Sequence, residues 1–314
     1  MTRPTLHLIV SCTGRKTAAP TADVCFRAVR AEYGRERVKE WTTRLQSGER
    51  GTVAAAELYA GEHWSVVRDM LRRAAGSLNV HLWIASAGYG LLAADDLVRS
   101  YSASFSTADV DYVGRASKNR KVTAPVDWWK RINATRIRGT RGARSIQWLA
   151  ERDPSARCMV VASPNYLTAL LSDIHAAART LRAGHLKLVS SFDPTLVNEL
   201  SKHLIVARSG LTHALGGSLV SLNARVARDV IERGWITRRT ADVAAHYRTL
   251  GENLAEPRPG RVKVIDAEVV AFIRALRRDE HVSASAALRR FRDTGYACEQ
   301  NRFGQLFAKT GRRR

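Results

Sequence analysis

Ser11-Cys12 follows an early apolar run, and the basic pair Arg15-Lys16 follows three and four residues after Cys12. A basic pair just past a strand end can hold a phosphate or stabilise a departing anion. Four more segments of the first half carry chemically useful residues: Leu58-Tyr59-x-Gly61, Ser86-Ala-Gly-Tyr-Gly-Leu-Leu92, Tyr101-Ser-Ala-Ser-Phe105 and Asp111-x-Val113. Tyr59 and Tyr89 offer flat faces for a planar ring, and Asp111, beyond an aromatic-rich stretch, can face a developing positive charge. Each has a plainer reading as well: Lys16 as solvated surface, Tyr59 as core rim, Asp111 as a cap or turn residue.

Other chemistries lack their motifs. There is no G-x-x-x-x-G-K-[ST] loop, no H-E-x-x-H and no G-x-S-x-G, and Gly88-Tyr89-Gly90 has no third glycine to complete a dinucleotide fingerprint. Cys12, Cys25, Cys158 and Cys298 are scattered with no C-x-x-C pair, which argues against a zinc site or a disulfide framework and for a reducing cytoplasm. No apolar run approaches bilayer length, and the N-terminus has no signal-peptide shape.

The elements that must position these residues alternate. Leu6–Val10, Val80–Ala85, Cys158–Ala162 and Leu186–Val189 have strand length, and each runs into a serine: Ser11, Ser86, Ser163 and Ser190. His203–Ala207 is a candidate fifth strand. Helix-compatible segments such as His63–Ala75 and Leu167–Leu181 lie between them, which predicts an α/β fold with a mostly parallel central sheet flanked by helices. Ligands of such sheets sit beyond the carboxyl ends of the strands, where the four serines and Asn165 would lie. Ser163-Pro164 and Asp193-Pro194 also read as a helix cap followed by proline at the first helical position.

Charge adds a partner. The 314 residues hold 51 Lys+Arg against 29 Asp+Glu, a net +22, which points to a polyanion, most often nucleic acid. Ten of the basic residues fall between Arg115 and Arg144, where Asp127 is the only acid. That stretch includes Arg136, Arg138 and Arg141 in a glycine-bearing segment read as a flexible basic loop. It also includes Trp128-Trp129, each read singly as core of a short amphipathic helix. Residues 1–250 read as the α/β domain, 251–260 as a Pro/Gly-rich linker and 261–314 as a basic helical domain. In the last, Ile265, Val269, Phe272, Ile273 and Leu276 mark one helix. Ser283 caps a second carrying Leu288 and Phe291, and Phe303, Leu306 and Phe307 mark a third beyond Gly295. Two short helices split by a glycine and loaded with Arg289, Arg290, Arg292 and Arg302 read as a helix-turn-helix, with an oligomerisation or docking module as the plainer alternative.

The series S-C-x-x-[RK]-K, L-Y-x-G, S-A-x-x-G-L-L and aromatic-x-A-x-F resembles a bacterial family distantly similar to the uracil-DNA-glycosylase-like domain of archaeosine synthase. The tail segments 287–296 and 300–303 are similar to the tail helices of the anti-phage DNA glycosylase of bacterial defence clusters. Where the synthase-like domains carry Cys followed closely by Lys-Pro-Tyr, this chain has Cys12 and Lys16 followed by Thr17-Ala18.

The resemblance implies a uracil-DNA-glycosylase-like fold and excision of a modified base from phage DNA as antiviral defence. Alpha-glucosyl-hydroxymethylcytosine is the expected substrate, and an abasic site the product. Double-stranded DNA is the partner, with no metal or organic cofactor, no membrane and no obligate protein partner. Such chemistry needs a flipped base and stabilisation of an oxocarbenium-like sugar. Asp111 is then the first candidate carboxylate and Asp193 the second, with Lys16 as the alternative nucleophile. Cys12, Tyr59, Ser86, Tyr89, Ser163 and Asn165 line the base pocket. Arg15, Arg136, Arg138, Arg141 and the four tail arginines hold the duplex. Two other readings stay open: a non-catalytic DNA-binding regulator, and a tRNA or nucleoside base-exchange enzyme.

Overall fold

Thr5-Leu-His-Leu-Ile-Val-Ser11 has apolar residues in both alternating sets, the pattern of a parallel strand covered on two faces. It lies within the sheet, with Leu6, Leu8, Ile9 and Val10 fully buried. The structure is a computed structural model that describes residues 3–32, 34–47, 51–114, 125–141, 145–192, 198–254, 262–279 and 282–310. The chain divides into two compact units, Met1–Ala255 and Glu256–Arg314.

The first unit runs β1 (Thr5–Ser11), α1 (Gly34–Gln46), β2 (Val53–Ala54), α2 (Ala55–Leu58), α3 (Glu62–Ala74), β3 (Asn79–Ser86), β4 (Gly90–Ala93) and β5 (Leu97–Val98). It continues through α4 (Pro125–Asn133), α5 (Ile146–Arg152), β6 (Arg157–Val161), α6 (Pro164–Thr180), β7 (Leu186–Ser190) and β8 (Leu204–Val206) to α7 (Leu211–Leu215), α8 (Leu222–Glu232) and α9 (Thr240–Asn253). The main sheet has six strands in the order β4-β3-β1-β6-β7-β8, parallel except for β4. All five apolar runs read as strands belong to it.

Strand β4 is the one strand of the main sheet that periodicity missed. Four residues carry no readable repeat, and the strand exists because Gly90 turns the chain back at φ +79°. A Cβ there would fall 2.5 Å from Asn133 Oδ1, the oxygen that accepts the Leu91 N–H at 2.7 Å.

Helices flank the sheet. Helix α3 packs on α8, α4 and α5 pack on α6, and α9 packs on β8. Trp128 and Trp129 are core residues of α4: their indole N–H groups donate to the Ala87 carbonyl at 2.7 Å and to Asp173 Oδ2 at 3.0 Å. Asp173, on α6, also receives the backbone N–H groups of Ile146 and Gln147 and so caps the start of α5. Ser163 precedes α6 with Pro164 at its first turn, as the Ser-Pro pair predicted, although its hydroxyl makes no capping bond.

Two expectations need correction here. The segment Arg136–Arg141 is tied down rather than loose. Ile137 is buried, the Gly139 carbonyl accepts the Leu97 N–H at 2.9 Å, and the Arg141 N–H donates to Asp96 Oδ1 at 2.7 Å. The linker also starts later than Gly251, because α9 runs through that glycine to Asn253.

In the second unit, α10 (Asp266–Asp279), α11 (Ala284–Asp293) and α12 (Gln300–Thr310) enclose Val269, Ile273, Leu288, Phe291 and Phe303. Ser283 caps α11 through Ala286 N–H, and Gly295 leaves it at φ +88°. A two-residue parallel ladder joins β9 (Val262–Lys263) to β10 (Tyr296–Ala297). Ile265, counted with the first helix's apolar stripe, is instead exposed. Among the described residues no helix is long and apolar enough to cross a membrane.

Candidate active site at the carboxyl ends of the strands

The chain leaves β1 toward β3 on one side and later returns to β6 on the other, so the sheet's switch point lies between β1 and β6. Connections on the two sides diverge there, which is where open α/β sheets place their ligands. Cys12 on one bank reaches Tyr166, in the first turn of α6, on the other: Sγ and the phenol oxygen are 3.0 Å apart.

Beyond Cys12 the chain folds back on the Leu58–Ala60 segment. Lys16 forms an isolated antiparallel bridge with Tyr59, Thr17 N–H donates to the Leu58 carbonyl at 2.9 Å, and Ala60 N–H donates to the Arg15 carbonyl at 3.0 Å. This fixes the backbone of Lys16. Its ammonium donates to the Thr13 carbonyl at 3.2 Å and lies 4.4 Å from the centre of the Tyr101 ring and 5.7 Å from that of Tyr59. Among the described residues no carboxylate comes within ion-pair distance of it. Burial holds Lys16 below the usual lysine range, and the partial opposition comes from Cys12, Asp109, Asp111 and Cys25.

Beneath the lysine is a hydrogen-bonded group of phenols, a thiol and a hydroxyl. The Tyr101 oxygen lies 2.6 Å from Ser86 Oγ, 3.0 Å from the Tyr59 hydroxyl and 3.5 Å from Cys12 Sγ. Burial raises the Tyr59, Tyr101 and Tyr166 phenols well above the ordinary value, and pushes Tyr89 up to about 12. All four stay neutral hydrogen-bonding groups at physiological pH.

The expected pocket residues divide into two sets. Cys12, Arg15 and Lys16 follow β1, with Ser163 half-buried and Asn165 exposed after β6. Tyr59 and Tyr89 do not present flat faces. One side of the Tyr59 ring is stacked on Trp64 at 5.0 Å, and Tyr89 is buried with its hydroxyl bonded to the backbone N–H and carbonyl of Arg99. Ser86, fully buried, accepts the N–H groups of Gly88 and Tyr89 and so shapes the turn after β3. Asp111 is 2% exposed and engaged: Oδ1 accepts the Arg27 backbone N–H at 2.8 Å, and Oδ2 lies 3.5 Å from the Arg27 guanidinium. Asp193 lies outside the described residues.

Sequence reasoning passed over Tyr166 and Asp109, and it quoted Tyr101 only inside a motif. The signal for Tyr166 was its place one residue after Asn165, in the first turn after a strand end.

Of the arginines, Arg136 and Arg138 are exposed, and Arg141 pairs with Asp95 at 2.8 Å. In the second unit Arg289 and Arg290 are exposed. Arg292 donates to the Cys298 carbonyl, and Arg302 donates to Asp266 and to the Val264 carbonyl. Arg292 and Arg302 therefore serve the unit's own fold. Among the described residues no group of three or more His, Cys, Asp and Glu side chains is placed to hold a metal ion. No protein-family model, curated protein or solved structure matches this chain, so the functional reading rests on the site's own geometry.

Proposed function

We propose that the protein is a DNA N-glycosylase that takes a modified base out of the duplex and cleaves its glycosidic bond, with Lys16 as nucleophile. The supporting observation is the Lys16 amine itself. It is partly buried at the sheet's switch point, held below the usual lysine range and, among the described residues, without a carboxylate at ion-pair distance, so it gives up its proton more readily than an exposed lysine. The net +22 charge supplies the attraction to DNA. The sequence favoured Asp111 as the catalytic carboxylate, but its bonds to Arg27 leave it a poor choice for activating water, and the role passes to the lysine.

In this reading the neutral Lys16 nitrogen attacks C1′ of the flipped nucleotide. The glycosidic bond breaks, the base departs with the electron pair and is protonated, and the amine loses its proton as the sugar ring opens to an imine. Water hydrolyses the imine, which frees Lys16 and leaves the abasic site. The substrate class to test first is glucosylated hydroxymethylcytosine in phage DNA. The three-helix unit, with Arg289 and Arg290 exposed, is read as a helix-turn-helix that adds duplex affinity.

The test incubates the protein with unmodified, hydroxymethylated and glucosylated duplexes, followed by alkaline cleavage at abasic sites and by borohydride trapping. Strand breaks confined to a modified duplex, with a trapped adduct lost in Lys16→Arg, are expected. Binding to every duplex without base release would replace the enzyme with a DNA-binding regulator.

A further inference from the structure

A partly buried ammonium without a carboxylate beside it needs another source of stabilisation. Among the described residues the Thr13 carbonyl is its hydrogen-bond acceptor, and the nearer of its two aromatic faces is Tyr101. That ring is fully buried and fixed from several directions. Tyr89 meets it edge-on at 5.2 Å, and Trp41 does so at 6.3 Å. Gly88 leaves room for it: a Cβ there would fall 2.4 Å from Tyr101 Cε2. We propose that Tyr101 is the positioning residue of this site: its ring face seats the Lys16 nitrogen, and its hydroxyl, tied to Ser86, Tyr59 and Cys12, keeps that face in place.

The assignment deepens the role given to Lys16 above. A ring face attracts a cation through its quadrupole and favours the protonated amine. It therefore opposes desolvation and, with the nearby Cys12, Cys25, Asp109 and Asp111, sets where the lysine titrates. The acids are not equal partners, because Asp111 is already committed to Arg27. Tyr59, the other ring, is farther from the nitrogen.

Fluorination separates the ring's charge distribution from its shape. The series is Tyr101→Phe and then mono-, di- and trifluorophenylalanine at position 101. Lysines are methylated reductively with isotopic formaldehyde, the Lys16 signal is identified by its loss in Lys16→Arg, and its titration is followed by NMR. Tyr101→Phe keeps the ring and should leave the midpoint within a few tenths of a pH unit. Each fluorine should then lower it stepwise, by about one unit across the series.

A midpoint that ignores fluorination overturns the proposal. So does one that moves fully with Tyr101→Phe and no further, because the hydroxyl rather than the ring would then hold the lysine. The titration uses the protein alone. A flat series with intact base release removes Tyr101 from its role, whereas a stepwise series with no base release from any duplex removes only the glycosylase reading.

Discussion

Asp173 and Lys16 are both charged side chains drawn into the first unit, and they are treated in opposite ways. Asp173 collects three N–H donors, two from the start of α5 and one from Trp129, which oppose but do not cancel the upward push of burial on its carboxyl group. A cavity of about 670 Å³ beside it is also lined by Asp127, Lys130 and Asn133. Among the described residues Lys16 has one carbonyl and one near ring face. A buried charge with its hydrogen bonds filled is a structural joint, whereas one left partly unsatisfied keeps free energy available for chemistry.

The largest effect should come from Lys16. Lys16→Met should lower base release by roughly three orders of magnitude, since a nucleophile and not an auxiliary group is removed. Stability should move the other way. A lysine whose folded pKa is depressed binds fewer protons in the folded than in the unfolded state between the two values, so its cost is greatest at lower pH. The cost fades as pH rises toward 10.5, the ordinary value of an exposed lysine. The Met variant should therefore exceed the parent in stability most clearly near neutrality, with the gap closing toward alkaline pH. Denaturation curves at pH 7 and pH 10 measure it, and an equal gap at both would show that the lysine is well solvated.

Asp173→Ala breaks the other side of the comparison. It strands two backbone N–H groups and one indole N–H in the interior, and should cost about 3 kcal/mol. The readout is the denaturant midpoint. Base release, measured below the melting range, should stay within about twofold of the parent. A large loss of activity with the midpoint unchanged would make Asp173 part of the chemistry.

The contrast between these two residues was not legible in the sequence, and the reason is physical. Strand alternation and helix periodicity are local, so the five parallel strands, α3, α6 and the three helices of the second unit could be read from residue spacing. Ser11, Ser86, Ser163 and Ser190 do stand at the carboxyl ends of their strands, although Ser86 satisfies its own turn. Hydrogen-bond satisfaction is not local. Asp111 and Arg27 are 84 residues apart, as are none of the pairs that spacing can reveal, and Cys12 meets Tyr166 across 154 residues. Tyr59 looked available because its partner across the fold, the Tyr101 hydroxyl 42 residues away, cannot be counted from its own segment.

A third and smaller effect sharpens the contrast at the surface. Arg136 and Arg138 are exposed on a segment whose backbone is pinned, so both can change without unfolding it. Replacing both with Ala should reduce the slope of log affinity against log salt by about 1.8, at roughly 0.9 per lost phosphate contact. All duplexes should weaken alike, because phosphate contacts carry no sequence information. An unchanged slope would move the DNA-binding face elsewhere.

The smallest effect belongs to Glu62, a charge that is satisfied but exposed. It opens α3 two residues after Ala60 and accepts from Ser218 N–H at 3.0 Å, Ser221 Oγ at 2.8 Å and Arg225 Nη2 at 2.8 Å. Together these bonds hold the turn that exposes Leu219 and Val220. The Ser218 hydroxyl contributes most to holding its carboxyl at about 2, below the usual 4.5. A depressed carboxylate stabilises the fold above its unfolded value and loses that contribution as pH falls through the folded one. The turn should accordingly stay pinned at pH 5 and loosen only as pH approaches 2. Glu62→Gln keeps the shape but removes the charge from all these bonds, so Ser218 amide exchange should quicken several-fold at neutral pH while global stability changes by less than about 1 kcal/mol. Unchanged exchange at Ser218 would mean that the turn is held by Gly216, Gly217 and its own backbone, and that a well-filled carboxylate at the surface adds little where a filled one in the interior, Asp173, adds much.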